Sequence, residues 1–186
     1  PRLPWVRVAT GSLGQGLPTG VGLALTGVRL DRLPYRVWVL CGDSELAEGS
    51  MWEAFAHAGN ARLHNLTASV DVNRLGWDTA AYARQIRAFG WHTIEIDGHD
   101  IEQIEQAYDQ AVAHPDAPTA ILDRTIKGKG APAVEDLGGH HGKPLPDSDE
   151  VINQLGGVTH LTVPVARPDT SQPPHTFTSI PTEPPG

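Results

Sequence analysis

Apolar and polar positions follow two different periods along this chain. Residues 36–40 and 66–72 are short, apolar, β-rich runs bounded by turn-forming residues, and both read as strands. Between them, residues 48–60 space their apolar side chains as a helix does, so the three segments predict a βαβ unit. Further on, 91–96 reads as a strand, and 101–113 reads as an amphipathic helix with Ile101, Ile104, Ala107, Tyr108 and Ala111 on one face. Residues 119–126 read as another strand, and 17–30 as an apolar helix entered from a glycine-rich loop. Strands alternating with helices predict an α/β fold, a parallel sheet with helices on both faces.

The pattern stops after Gly157. Residues 158–186 hold seven of the sixteen prolines, with Ser and Thr between them, and sustain neither period, so the expected division is a globular domain over 1–156 and a Pro-rich linker or tail over 157–186. Residues 2–9 read as a strand or loop entered midway, which suggests a truncated N-terminus. No repeats of solenoid length occur.

Composition narrows the class. A formal net charge of −8 argues against nucleic acid as a partner, because binding a phosphate backbone needs clustered Lys and Arg. The single cysteine, Cys41, excludes an intrachain disulfide framework and a cysteine-built zinc site, and fits a reducing, cytoplasmic setting. No apolar run has the length of a membrane span, and no signal-like N-terminus is visible.

Candidate chemistry concentrates where the strand "VWVL" runs into "CGDSELAEGSMWEA" and the next strand ends in "ASVDVNRLG". Asp43 and Asn73 stand thirty positions apart, a spacing that brings the carboxyl ends of two parallel strands side by side. A carboxylate from Asp43, an amide oxygen from Asn73 and a backbone carbonyl at Leu75 suit a hard cation such as Mg²⁺ or Ca²⁺. Amides around Ser44 and the helix N-terminus can receive an anion, so a diphosphate bridged by the metal fits both halves. The same residues also suit commoner tasks, Asp43 and Ser44 as helix caps and Asn73 as a turn former.

The "GD…N" pair at this spacing resembles the thiamine diphosphate motif, and "GDSELAEGSMWEA", "VDVNRLG" and "HGKPLP" resemble transketolase in particular, over about residues 1–165. The resemblance implies a truncated thiamine-diphosphate-binding fold. In it Asp43, Asn73 and the Leu75 carbonyl would hold the cation, and Gly42 and the Ser44 amide would meet the diphosphate. Ser44 stands where many family members have glycine. The loop "TGSLGQG" is by itself a turn opening a helix, and its glycines fall in the wrong order for a dinucleotide fingerprint. By resemblance Gly11 and Leu13 contact the cofactor's rings.

Glu48 and Glu53 lie early in a helix, where the dipole favours acids whatever the function. By resemblance they belong to a homodimer interface and link two active sites. Lys127 in "TIKGKG" and His141 in "GGHHGKPLP" would be solvated loop residues in most proteins. The resemblance instead implies that Lys127 lies near the diphosphate and His141 near the thiazolium and the sugar phosphate, both as catalytic candidates, with His140 replacing an expected tryptophan. The remaining histidines read as structural or surface residues.

The implied activity is transfer of a two-carbon ketol unit between sugar phosphates, within the pentose phosphate pathway. The implied glutamate that activates the aminopyrimidine belongs to a separate pyrimidine-binding domain, and two further histidines belong upstream of Pro1. A loop of about eight residues is also expected after Gly76 and is missing from the sequence. The chain alone is therefore expected to be inactive, and the alternative is a non-catalytic thiamine diphosphate module with an assembly role.

Overall fold

The computed structural model describes residues 8–73, 78–145, 147–162 and 164. Residues Thr10–Thr159 form one compact unit that contains every described helix and strand. A second unit joins the chain ends, Pro1–Ala9 and His160–Gly186, and its described residues contain neither helix nor strand.

Four strands, β1 (Val37–Gly42), β2 (Leu66–Val72), β3 (His92–Asp97) and β4 (Thr119–Arg124), form a parallel sheet in the order β1-β2-β4-β3. Helices α1 (Gly16–Leu25), α2 (Gly49–Asn60), α3 (Thr79–Ala88), α4 (Ile101–Ala113) and α5 (Ser148–Gln154) accompany it. Since side chains alternate across a strand, the register assigns the two faces. Cys41, Val70 and Leu122 line up on one face and pack with Leu17, Phe55 and Ile86 of α1, α2 and α3. Ile94, Ile96 and Ile121 on the other face pack with Ile104, Ala107 and Ala111 of α4.

This is the α/β architecture that the alternation predicts, with helices on both faces, and β2 and α4 span the expected residues. Two details differ. On α4, Ile101 is 67% exposed and Tyr108 is also exposed, its ring edge-on to Trp38 of β1 at 5.0 Å, whereas Ile104, Ala107 and Ala111 pack against Ile94, Ile96 and Ile121. The helices α3 and α5 are additional to the elements read from the pattern. Of these, α3 packs in the core. It is capped by Asp78, whose side chain accepts from the Ala81 amide at 2.7 Å, and it buries Tyr82, Ala83 and Ile86.

Close approach sets α1 against the sheet. A Cβ on Gly20 would come within 2.5 Å of Val39 Cγ2, so only glycine lets the helix sit this near β1. After Leu25 the helix widens into a π turn, Thr26–Asp31, closed by Arg32 in the left-handed region at φ 52°. The chain then turns into β1, and the strand's last residue, Gly42, opens onto the candidate site.

Candidate cofactor and metal site

The carboxyl ends of β1 and β2 meet in the register Gly42 to Asp71. One residue past β1, Asp43 begins a 3-10 turn, Asp43–Ala47, and is buried to 1% exposure. One residue past β2 stands Asn73, half-buried. Burial of a carboxylate at a strand end is costly unless something compensates its charge. Asn73 carries an unusual atom: its Oδ1 is buried and makes no hydrogen bond, while its Nδ2 donates to Asp71 Oδ2 at 2.9 Å. An amide oxygen withheld from water and left without a donor suits a cation, which accepts oxygen ligands and needs no hydrogen. A buried carboxylate and a buried amide oxygen at adjacent strand ends are donors of the kind that suits a hard divalent metal. The third expected ligand, the Leu75 carbonyl, lies outside the described residues, as does the chain just after Gly76 where the short loop is expected.

The glycine loop comes to the same edge through a residue that pattern reading missed. Glu45 Oε1 accepts from the Gly14 amide at 3.0 Å and Oε2 accepts from the Gly42 amide at 3.0 Å. One carboxylate thus ties the loop before α1 to the end of β1, across 31 positions of sequence. Ser50 Oγ donates to the Gly14 carbonyl at 2.8 Å, so both backbone polar groups of that glycine are held. Gly14 is obligatory here, with φ at 78° and a hypothetical Cβ only 2.6 Å from Ser50 Oγ and 2.7 Å from Glu48 Cβ. The acid three residues after Gly42, at the start of a turn, was the available signal. Its partner at Gly14 is a tertiary contact that no local pattern reveals.

Neighbouring groups complete the edge. Gly11 and Leu13 lie on the exposed part of the glycine loop, with Leu13 54% exposed and open space around Gly11. Ser44 is exposed within the 3-10 turn, ahead of α2 rather than on it. Cys41, just inside the edge, is buried, and its thiol is pushed up to about 12 by burial and by Glu45, so it is a packing residue and not a nucleophile. On the opposite face Asp71 Oδ1 accepts from Thr125 Oγ1, and Asp123 Oδ2 accepts from Ser69 Oγ. Burial, with Asp71 beside it, pushes the Asp123 carboxyl up to about 6 against the lowering hydrogen bond from Ser69.

The remaining candidates are more dispersed. Glu48 is the exposed residue preceding α2, and Glu53 is exposed on that helix. Lys127 is half-buried two residues beyond Thr125, and its carbonyl accepts from the Asp136 amide at 2.9 Å. The preceding residue is anchored too, since the Ile126 amide donates to His99 Nε2 at 2.8 Å. His99 therefore has a positional task, bracing the loop that carries Lys127. His141 is exposed, and among the described residues no hydrogen bond ties it to Asp43, Asn73 or Lys127. The structure thus gathers Gly42, Asp43, Asn73 and the glycine loop at one edge.

A parallel sheet that presents buried oxygen donors and a braced glycine loop at its carboxyl edge defines an α/β cofactor-binding domain, since ligands of such sheets bind at that edge. Comparison with known proteins narrows this. Residues 2–160 match the family described as the transketolase, thiamine diphosphate binding domain. The chain belongs to this family. It is similar to transketolase-like protein 2 of Bos taurus, with 50% identity over 83% of this chain and 26% of that protein. It is also similar to transketolase of Homo sapiens, with 45% identity over 83% of this chain and 26% of that protein. Among solved structures, a variant of Pichia stipitis transketolase aligns at a TM-score of 0.74 and 30% identity, covering 84% of this chain and 26% of the other. Pichia stipitis transketolase in complex with sedoheptulose-7-phosphate aligns at 0.68 and 32% identity, covering 80% and 24%. The chain spans about a quarter of the length of the curated relatives it matches.

Proposed function

We propose that this chain supplies the metal and diphosphate site of a transketolase-type enzyme, binding thiamine diphosphate through Mg²⁺ or Ca²⁺. The observation that carries the reading is the buried, unpartnered Asn73 Oδ1 beside the strand end that bears the buried Asp43. These two oxygens hold the cation, with the Leu75 carbonyl as third protein ligand. The Gly42 and Ser44 backbone faces the diphosphate, and Gly11 and Leu13 approach the cofactor rings. When bound, thiamine diphosphate supplies the carbon that takes up and releases a two-carbon ketol unit. The chain's part is to hold the cofactor in one geometry and, through Lys127 and His141, to neutralise phosphate charge and handle protons at the sugar oxygens.

Sugar phosphates are the proposed substrates, since Pichia stipitis transketolase is known in complex with sedoheptulose-7-phosphate. The exposed positions of Glu48 and Glu53 suit a homodimer contact, and a separate pyrimidine-binding domain completes the site. The pentose phosphate pathway and a cytoplasmic location accompany this reading. Among the described residues no helix is long and apolar enough to cross a membrane. A second reading is a thiamine diphosphate-binding module or remnant without catalysis, with an assembly role.

Calorimetric titration of thiamine diphosphate with and without Mg²⁺ tests the proposal. The chain should bind the cofactor only with the metal, and Asp43→Ala and Asn73→Ala should each abolish the Mg²⁺-dependent heat while keeping the thermal transition. Wild-type Mg²⁺ dependence in both variants would refute the assignment. A coupled assay with xylulose 5-phosphate and ribose 5-phosphate separates the two readings, because only the catalytic one gives turnover once a pyrimidine-binding domain is added.

A further inference from the structure

We propose that Asp71 is a positioning residue that decides which end of the Asn73 amide faces the metal. The inference rests on the cation site proposed above and adds a residue to it. An asparagine amide has two ends of nearly equal shape and opposite character: the oxygen attracts a cation and the NH₂ group repels it. Nothing in the shape of Asn73 selects between them. Asp71 does. It lies two residues earlier, near the end of β2, and its carboxylate reaches the Asn73 amide. A carboxylate oxygen is an acceptor, and Asp71 Oδ2 accepts from Asn73 Nδ2 at 2.9 Å. A rotation of the amide by half a turn would set its oxygen against that carboxylate.

Asp71 is itself held. Its other oxygen accepts from Thr125 Oγ1, so the carboxylate is fixed between the ends of β2 and β4 before any metal arrives. The consequence is visible at the far end of the amide, where Asn73 Oδ1 is buried and lacks a hydrogen bond. A flipped amide would pair that oxygen with nothing better and would lose the bond to Asp71. The arrangement leaves a cation ligand without a hydrogen-bond donor among the described residues, at the end of the strand that pairs with β1. Outer partners of metal ligands that fix a ring or amide in this way typically change metal affinity by about 10–100-fold when removed.

The test uses Mn²⁺ as the probe, with free ion followed by electron paramagnetic resonance in the presence of saturating thiamine diphosphate. Asp71→Asn, which can donate as well as accept, should weaken Mn²⁺ binding by about 10-fold or more. Asp71→Ala should give the same loss, and serves if Asp71→Asn does not fold. The decisive variant is the double exchange D71N/N73D. The carboxylate introduced at 73 has two equivalent oxygens and the amide introduced at 71 can donate to one of them, so affinity should return to near the wild-type value. A purely structural role for Asp71 would show the loss without the rescue. Unchanged Mn²⁺ affinity in the single variants, or a double variant as weak as they are, would overturn the proposal. Absence of Mn²⁺ binding by the wild-type chain would overturn the cation site itself, and this inference with it.

Discussion

Asn73 and Glu45 show how single side chains can be committed to a task before any ligand is present. At Asn73 a carboxylate claims one end of the amide and leaves the other bare. At Glu45 both carboxylate oxygens are used, one on Gly14 and one on Gly42. Hydrogen bonds to a charged acceptor contribute about 1.5–3 kcal/mol each, and here they also decide where a loop rests. Glu45→Ala should therefore lower stability by about 2 kcal/mol in urea unfolding and weaken thiamine diphosphate binding, because the loop carrying Gly11 and Leu13 loses its tie to the site. Glu45→Gln should recover part of both, since its one amide oxygen can replace only one acceptor. A cofactor affinity insensitive to Glu45→Ala would mean that the loop takes no part in binding.

At the scale of elements, α2 connects the site to the core. It begins just after the Asp43–Ala47 turn, and Trp52 Nε1 donates to the Leu46 carbonyl at 2.8 Å, fastening the turn onto the helix. One turn further, Phe55 is fully buried between Trp52 at 5.7 Å and Trp91 at 5.0 Å, the latter edge-on. Trp91 Nε1 in turn donates to the Phe55 carbonyl at 2.8 Å. Truncating such a residue removes its burial and leaves a cavity that a sheet on one side and a hydrogen-bonded indole on the other cannot close. Phe55→Ala should cost about 3–5 kcal/mol, a large part of the about 5–15 kcal/mol available to a domain. Chemical denaturation should show it as a lowered midpoint with an unchanged slope, and a loss under about 1 kcal/mol would mean that this corner of the core repacks.

For the whole molecule, the two faces of the sheet are unequally covered. Three helices pack on one face, whereas α4 is the helix packed on the other and sits over β3 and β4. Strand β1 is left with Leu40 77% exposed and Trp38 44% exposed, and Trp38 meets α4 only through Tyr108 at 5.0 Å. Among the described residues it is also an edge strand, paired only with β2. Contiguous apolar surface at an open edge promotes association. The isolated chain should therefore self-associate with rising concentration in sedimentation velocity and bind a hydrophobic dye. Leu40→Lys should reduce both while leaving the thermal midpoint nearly unchanged. A monodisperse, dye-silent wild-type chain would show that this face is not adhesive.

The order of these scales matches what could be read without coordinates. Local pattern sufficed for β2 and α4, because strand and helix periods are properties of neighbouring residues, and the spacing of Asp43 and Asn73 sufficed to set two strand ends side by side. It also carried the family, through contiguous runs such as "GDSELAEGSMWEA". Missing from the pattern were α3 and α5, although Asp78 as cap and Tyr82, Ala83 and Ile86 on one face of α3, and Asp147 as cap of α5, are legible signals. What only the tertiary structure decided are the contacts between distant segments: Glu45 closing on Gly14, Thr125 holding Asp71, His99 bracing Ile126, and the bare face of β1. The physical reason is that a hydrogen bond across thirty or fifty residues leaves no period in the chain. It exists only once packing has brought the two ends of the sheet together.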